Sequence, residues 1–177
     1  GVALQLATPQ MEVRTSEVNG VPVDAWADTL SALEHVVVKG YISDAGGNVM
    51  TDFNGFVYPT VFDQRSEVTT LNNDGGSGGV SYGEWRNRIH TGAVRAEGGT
   101  FSFEFIVPRD IGYEPAPGRI SYYAVDGDLD AHGYTQEVYI GGVDEDAELD
   151  GTGPEIALYL NDTTFRNGGT TDPDPVL

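Results

Sequence analysis

Between Thr100 and Pro108 the chain reads Thr-Phe-Ser-Phe-Glu-Phe-Ile-Val-Pro, and no other stretch restricts the fold as severely. Phe101, Phe103, Phe105 and Val107 alternate with Thr100, Ser102 and Glu104. A pleated strand has a side-chain period of two, so the three phenylalanines share one face. Each large apolar side chain contributes about 1.5–3 kcal/mol when fully buried. Neighbouring strands are therefore expected to cover that face. Pro108 has no N–H to give a ladder and ends the strand. Upstream, Glu97-Gly98-Gly99 supplies the positive-φ residues of a tight turn, and Ile89 to Ala96 is read as the hairpin partner.

The remaining chain agrees with an all-β fold. Its 24 glycines and nine prolines favour turns over long helices, and a hydrophobic content of 39% is enough for a core. Glu34 to Ser43 carries Val36, Val37, Val38, Tyr41 and Ile42, all strand formers, before the turn cluster Asp44-Ala45-Gly46-Gly47-Asn48. Val49 to Asp63 is expected to return as a second long strand, interrupted at Gly55 and Pro59. Glu67 to Leu71 is a short strand, followed by a glycine-rich loop from Asn72 to Gly79. Gly118 to Asp126 and Tyr134 to Ile140 are apolar enough on both faces to lie well inside a sheet. Val23 to Ala32 is compatible with a short helical turn around Asp28 or with an extended segment.

These segments predict an Ig-like or fibronectin-like antiparallel β-sandwich of about seven to eight strands. Residues 1–20, with Pro9, are read as an edge strand or a linker from a preceding domain, and residues 21–142 as the sandwich. Residues 143–153 form an acidic linker. Pro154 and the strand-like Glu155 to Leu160 then open the truncated start of a following β-domain, residues 154–177.

Net charge is −19, from 28 acidic and nine basic residues. Such a surface repels phosphate backbones and anionic head groups, so nucleic acid is not an expected partner. The acidity fits either solubility in high salt, where screening removes self-repulsion, or a set of cation sites. Cysteine is absent, which excludes disulfides, thiolate metal sites and a cysteine nucleophile within these residues. No apolar run is long enough for a membrane-spanning helix, so direct membrane insertion is not expected.

Few stretches carry a pattern that chemistry would need. Asp126, Asp128, Asp130 and Glu137 match the carboxylate spacing of a calcium loop at positions one, three, five and twelve. Ala131 stands where that loop needs glycine, and the flanks read as strands, so an EF-hand is excluded. What remains is an acidic hairpin tip, either a weak calcium site or a solvated turn. Gly75-Gly76-Ser77-Gly78-Gly79 formally satisfies Gly-x-Ser-x-Gly, but Val80-Ser81-Tyr82 offers no helix after the serine, so a flexible loop is the expectation. His35, His90 and His132 lack the spacing of a metal pair or a triad. Tyr82, Trp85 and Tyr113 are candidates for a sugar-stacking platform or ordinary sandwich aromatics. No catalytic residue and no obligatory cofactor is expected.

The run from Val38 to Asn48, with Thr51 to Gly55 and Val57 to Asp63, is similar to bacterial Ig-like modules. More narrowly, the chain resembles the β-rich region after the peptidase domain of the type IX secretion system sortase, in the gingipain-type cysteine peptidase family. The resemblance rests on Gly99 to Phe103, Ile106 to Ile111, Pro117 to Ala124, Gly141-Gly142, and Gly153 to Ile156 with Asn161 to Thr163. It spans most of the chain from about Val21. It implies a surface-exposed enzyme that removes a C-terminal sorting domain from secreted cargo and attaches the cargo to the cell surface. Under that resemblance the catalytic cysteine and histidine belong to the preceding peptidase domain, and no position here matches them. The expected partners are then the adjacent peptidase domain and other secretion proteins. The expected location is the extracellular face of the outer membrane, as part of a longer exported protein.

The rival reading is an independent surface module that binds calcium through the acidic tip, carbohydrate through the aromatics, or both.

Overall fold

The computed structural model describes residues 11–71, 73, 78–143 and 169–170. The chain divides into two compact units, Gly1–Ala147 and Glu148–Leu177, and the described strands all belong to the first. They are β1 (Met11–Val18), β2 (Val21–Pro22), β3 (Thr29–Ala32), β4 (His35–Asp44), β5 (Phe56–Phe62), β6 (Ser66–Thr69) and β7 (Ser81–Glu84). There follow β8 (Arg88–Thr91), β9 (Val94–Arg95), β10 (Thr100–Ile106), β11 (Ala116–Pro117), β12 (Arg119–Asp126), β13 (Leu129–Thr135) and β14 (Tyr139–Val143).

The principal sheet has the order β10-β4-β1-β13-β12-β5-β8, with β2 beside β1 and β9 beside β5. A second sheet is β11-β14-β3 and a third is the pair β6-β7. The result is an all-β sandwich that approaches a barrel. The ends of the principal sheet meet through side chains, because His90 of β8 stacks on Phe103 and Phe105 of β10 at 5.6 and 5.0 Å between ring centroids.

The phenylalanine strand organises this interior as its pattern requires. Phe101, Phe103 and Phe105 are buried while Thr100, Ser102, Glu104 and Ile106 are exposed. Phe101 lies opposite Gly40 of β4. A Cβ at Gly40 would come within 2.4 Å of the Phe101 ring, so the missing side chain is what lets the ring lie across the neighbouring strand. Val13, Val38, Val57, Val61 and Ile120 complete the same core. One polar pair is buried there, the Thr15 and Tyr122 hydroxyls 2.7 Å apart. The pairing satisfies both groups away from water.

Several sequence expectations are corrected. Glu97-Gly98-Gly99 does reverse the chain, with Gly98 and Gly99 at φ 56° and 73°, and Glu97 and Thr100 exchange backbone hydrogen bonds. The ladder stops there. β10 pairs with β4 over seven positions, from Thr100 opposite Tyr41 to Ile106 opposite His35, while β8 and β9 pair with β5. The turn therefore carries the chain from one edge of the curled sheet to the other. The segment Met11–Val18, expected at an edge, lies between β4 and β13. It is antiparallel to the first and parallel to the second.

The expected strand from Val49 to Asp63 begins only at Phe56, because Met50 to Phe53 form a turn that donates back to Ile42. Pro59 lies inside β5, where Gly92 donates its N–H to the Pro59 carbonyl at 3.2 Å. A residue in an antiparallel strand points its N–H and C=O to the same side. The N–H that proline lacks would thus face the break between β8 and β9. The expected strand from Tyr134 to Ile140 is split between β13 and β14, which belong to different sheets. In Val23 to Ala32 the helical turn expected around Asp28 does not form there: a 3-10 turn covers Val23–Ala25 instead, and the extended reading holds from Thr29 in β3. The expected strand after Pro154 lies outside the described residues.

Candidate functional site: an arginine and aromatic cluster

The acidic hairpin keeps its three aspartates near one turn. Asp126 ends β12, Gly127 at φ 58° and Asp128 make the reversal, and Asp130 follows in β13. Asp126 Oδ2 accepts the Asn54 N–H at 2.9 Å. Glu137 is not brought to them. It follows the far end of β13, roughly 20 Å from Asp130 at about 3.3 Å per residue. Among the described residues no group of three or more His, Asp or Glu is placed to hold a metal ion.

The histidines are separate. His35 Nε2 lies 3.3 Å from Glu104 Oε2, His90 stacks on the inner phenylalanines, and His132 is exposed opposite Glu12. Gly75, Gly76 and Ser77 lie outside the described residues. The segment after them is β7, paired antiparallel with β6, so a strand occupies the place where a nucleophile elbow requires a helix.

Of the three candidate aromatics, Tyr82 and Tyr113 are exposed and Trp85 is half-buried. Trp85 carries its own cations. The Arg65 guanidinium lies 5.2 Å and the Arg119 guanidinium 5.1 Å from its ring centroid, and Arg119 is also 4.4 Å from the ring of Tyr134. Each contact joins positive charge to the negative face of a ring. β12 and β13 position Arg119 and Tyr134, while β7 ends at the residue before Trp85. Arg65 lies over Gly83, where a Cβ would meet its Nε at 2.4 Å. Arg119 Nε donates to Ser121 Oγ at 3.0 Å, which fixes the plane of the guanidinium. No spacing in the sequence links positions 65, 85, 119 and 134.

Of the clefts that flank other parts of the sheet, two contain histidines. One, of about 540 Å³, lies along β1 and β13 and is lined by Glu12, Arg14, Asp24, His132, Tyr134 and Glu137. Its one guanidinium is already held by Glu12 at 2.7 Å. The other, of about 430 Å³, lies between β10 and the β8–β9 edge, over His90 and Phe103. Burial holds the His90 imidazole below its ordinary pKa. Burial likewise pushes the Tyr122 hydroxyl well up, against the opposing bond to Thr15. At the β4 turn, the Asn48 N–H and side-chain amide, then Gly46 and Gly47, hold Asp44 below the usual carboxylate range.

Among the described residues no helix is long and apolar enough to cross a membrane. No protein-family model and no curated protein matches the chain. Spo0M, a sporulation control protein from Bacillus subtilis, aligns over 76% of this chain and 51% of its own at 13% identity and a TM-score of 0.40. The outer membrane decaheme cytochrome OmcA aligns over 84% of this chain and 25% of its own at 10% identity and a TM-score of 0.32. Both likenesses are too loose to say anything of function. A crystal structure of dimeric latent PorU from Porphyromonas gingivalis aligns over 89% of this chain at 30% identity and a TM-score of 0.70. The chain spans 15% of that protein's length, and in sequence and fold it is related to that segment of PorU.

Proposed function

We propose that this chain is a non-catalytic, Ig-like scaffold and interaction module of a larger cell-surface protein, a gingipain-type cysteine peptidase that acts as a type IX secretion sortase. The observation that carries the reading is the alignment to PorU over 89% of the chain. The absence of cysteine from all 177 residues supports the division of labour, since the nucleophile of such a peptidase then belongs to another part of the polypeptide. In this reading the sandwich contacts the adjacent peptidase domain and other secretion proteins at the extracellular face of the outer membrane.

An antibody raised against this chain, combined with a reactive-thiol probe on the source cells, tests the proposal. A band several times heavier than 18.9 kDa that takes the label is expected. An unlabelled band near that mass, or peptide turnover by the pure chain, overturns it.

A further inference from the structure

We infer that the Arg65, Trp85, Arg119 and Tyr134 cluster is an oxyanion-binding site, one that takes a carboxylate or sulfate-type group through the free N–H edges of two ring-held guanidinium groups. The chain has few cations, and most of those with a partner are held by a glutamate. With 28 acidic residues against nine basic ones, a carboxylate partner is easy to find. Arg14, Lys39, Arg86 and Arg95 each find a glutamate, at 2.7, 2.8, 2.8 and 3.4 Å. Among the described residues Arg65, Arg88, Arg109 and Arg119 have no such ion pair, and two of these four, Arg65 and Arg119, lie over Trp85.

Ring contacts cover the faces of a guanidinium and leave its edge, which is where the N–H groups point. Arg119 uses Nε on Ser121, and among the described residues its two terminal nitrogens have no acceptor. A half-buried guanidinium with an unused fork favours a planar or tetrahedral oxyanion, because two parallel charge-assisted bonds can form at once. Among the described residues the buried Trp85 Nε1 also has no acceptor. The cluster therefore holds more N–H donors than it uses, the complement of an acceptor-only ligand.

Access is available on the Arg65 side. An open groove of about 320 Å³ is lined by Arg65, Ser66, Glu67, Ser81, Tyr82 and Gly83. The serine hydroxyls add donors, while Glu67 sets a limit on how much negative charge the groove accepts. The two guanidinium groups lie within about 10 Å of each other through the shared indole. A single small oxyanion can engage one fork, and a segment with neighbouring acidic side chains can engage both. The chemistry is the same for a free oxyanion and for an acidic peptide.

The test uses the 177-residue chain, with Trp85 fluorescence as the reporter in a Trp26→Phe background and calorimetry on the unsubstituted chain as the second readout. Sodium sulfate and a poly-glutamate peptide are titrated separately against sodium chloride at matched ionic strength. Saturable binding beyond the chloride control is expected, with poly-glutamate binding weakened at least tenfold in each of Arg119→Gln and Arg65→Gln and sulfate binding weakened at least tenfold in one of them. Arg119→Lys, which keeps the charge but not the fork, is expected to fall between. Near-ultraviolet circular dichroism confirms that the variants are folded. Binding of sulfate alone identifies a small oxyanion as the occupant, and binding of poly-glutamate alone identifies an acidic segment. No saturable binding of either probe, or binding that persists in both glutamine variants, overturns the inference.

Discussion

Two groups of aromatic side chains alternate along strands with the same period and end in opposite environments. Phe101, Phe103 and Phe105 of β10 are 5–6% exposed, whereas Phe56 and Tyr58 of β5 and Tyr123 of β12 are 42–50% exposed. Alternation decides which residues share a face, and it says nothing about which face is covered. The volume inside the sheet decides that. Three phenylalanines from β10, together with His90 and Tyr122, occupy the interior as a connected set of rings. The inward positions of β5 and β12 facing that set include Val57, Val61 and Ala124, which are small or medium-sized. Apart from Tyr122, the rings Phe56, Tyr58 and Tyr123 of those strands are left outside, where Tyr58 and Tyr123 pair across the strands at 6.2 Å.

The contrast can be broken hardest from the inside. Phe103→Ala removes a ring that touches three others, and a loss of about 3–5 kcal/mol is expected in urea denaturation. The buried hydroxyl pair comes next. Tyr122→Phe strands the Thr15 hydroxyl and should cost about 1–3 kcal/mol, and adding Thr15→Val should cost less than the sum of the single changes.

Tyr122 also makes an alkaline prediction. Its pKa is raised in the folded state, so the chain is at full stability below the unfolded value of about 10 and loses stability as pH rises beyond it. Melts from pH 9 to 12 should show a component that Tyr122→Phe lacks.

His90 tests the seam between the sheet edges from the acid side. Its folded pKa is lowered, so the contribution is present above the unfolded value of about 6.5 and disappears as pH falls through the folded value. The loss should be absent in His90→Phe, which keeps a ring between Phe103 and Phe105. The outer pair is the mild counterpart, and Tyr58→Ala should cost only about 0.2–1 kcal/mol. At the outer hairpin tip the smallest effect is expected. Millimolar calcium should shift the melting temperature no more than magnesium does, because Glu137 is held away from the three aspartates.

The strands with the strongest local signal were legible in the sequence. β10, β4 and β12 follow from alternation and from runs of branched and aromatic residues, and the Asp44 to Asn48 turn follows from its glycines. Partner choice was not legible. Gly98 and Gly99 specify a reversal of direction, but nothing in them says that the ladder stops after one residue pair and that β10 will adopt β4. The interior position of β1 was hidden for a related reason. A strand's side chains report on its two faces, while its neighbours bind through backbone groups that every residue possesses.

The Trp85 cluster was only partly visible. Trp85 itself stood out as an aromatic, but Arg65, Arg119 and Tyr134 reach it from separate elements that only the folded sheet brings together.

The place of β1 also bears on the order of assembly. Glu12 is the residue of β1 that registers with His132 of β13, so more than a hundred residues separate the partners of that seam. Pairings of such long range are slow to form, because the intervening loop must be closed before any contact compensates for it. A chain delivered amino terminus first can pair β1 with β4 early, yet the second side of β1 must wait for the final hairpin of the principal sheet. Until then the middle of the future sheet is an open edge, exposed to any other extended segment nearby. The principal sheet is thus complete only once β13 is in place, and a chain cut between β12 and β13 would lack a central seam as well as an end.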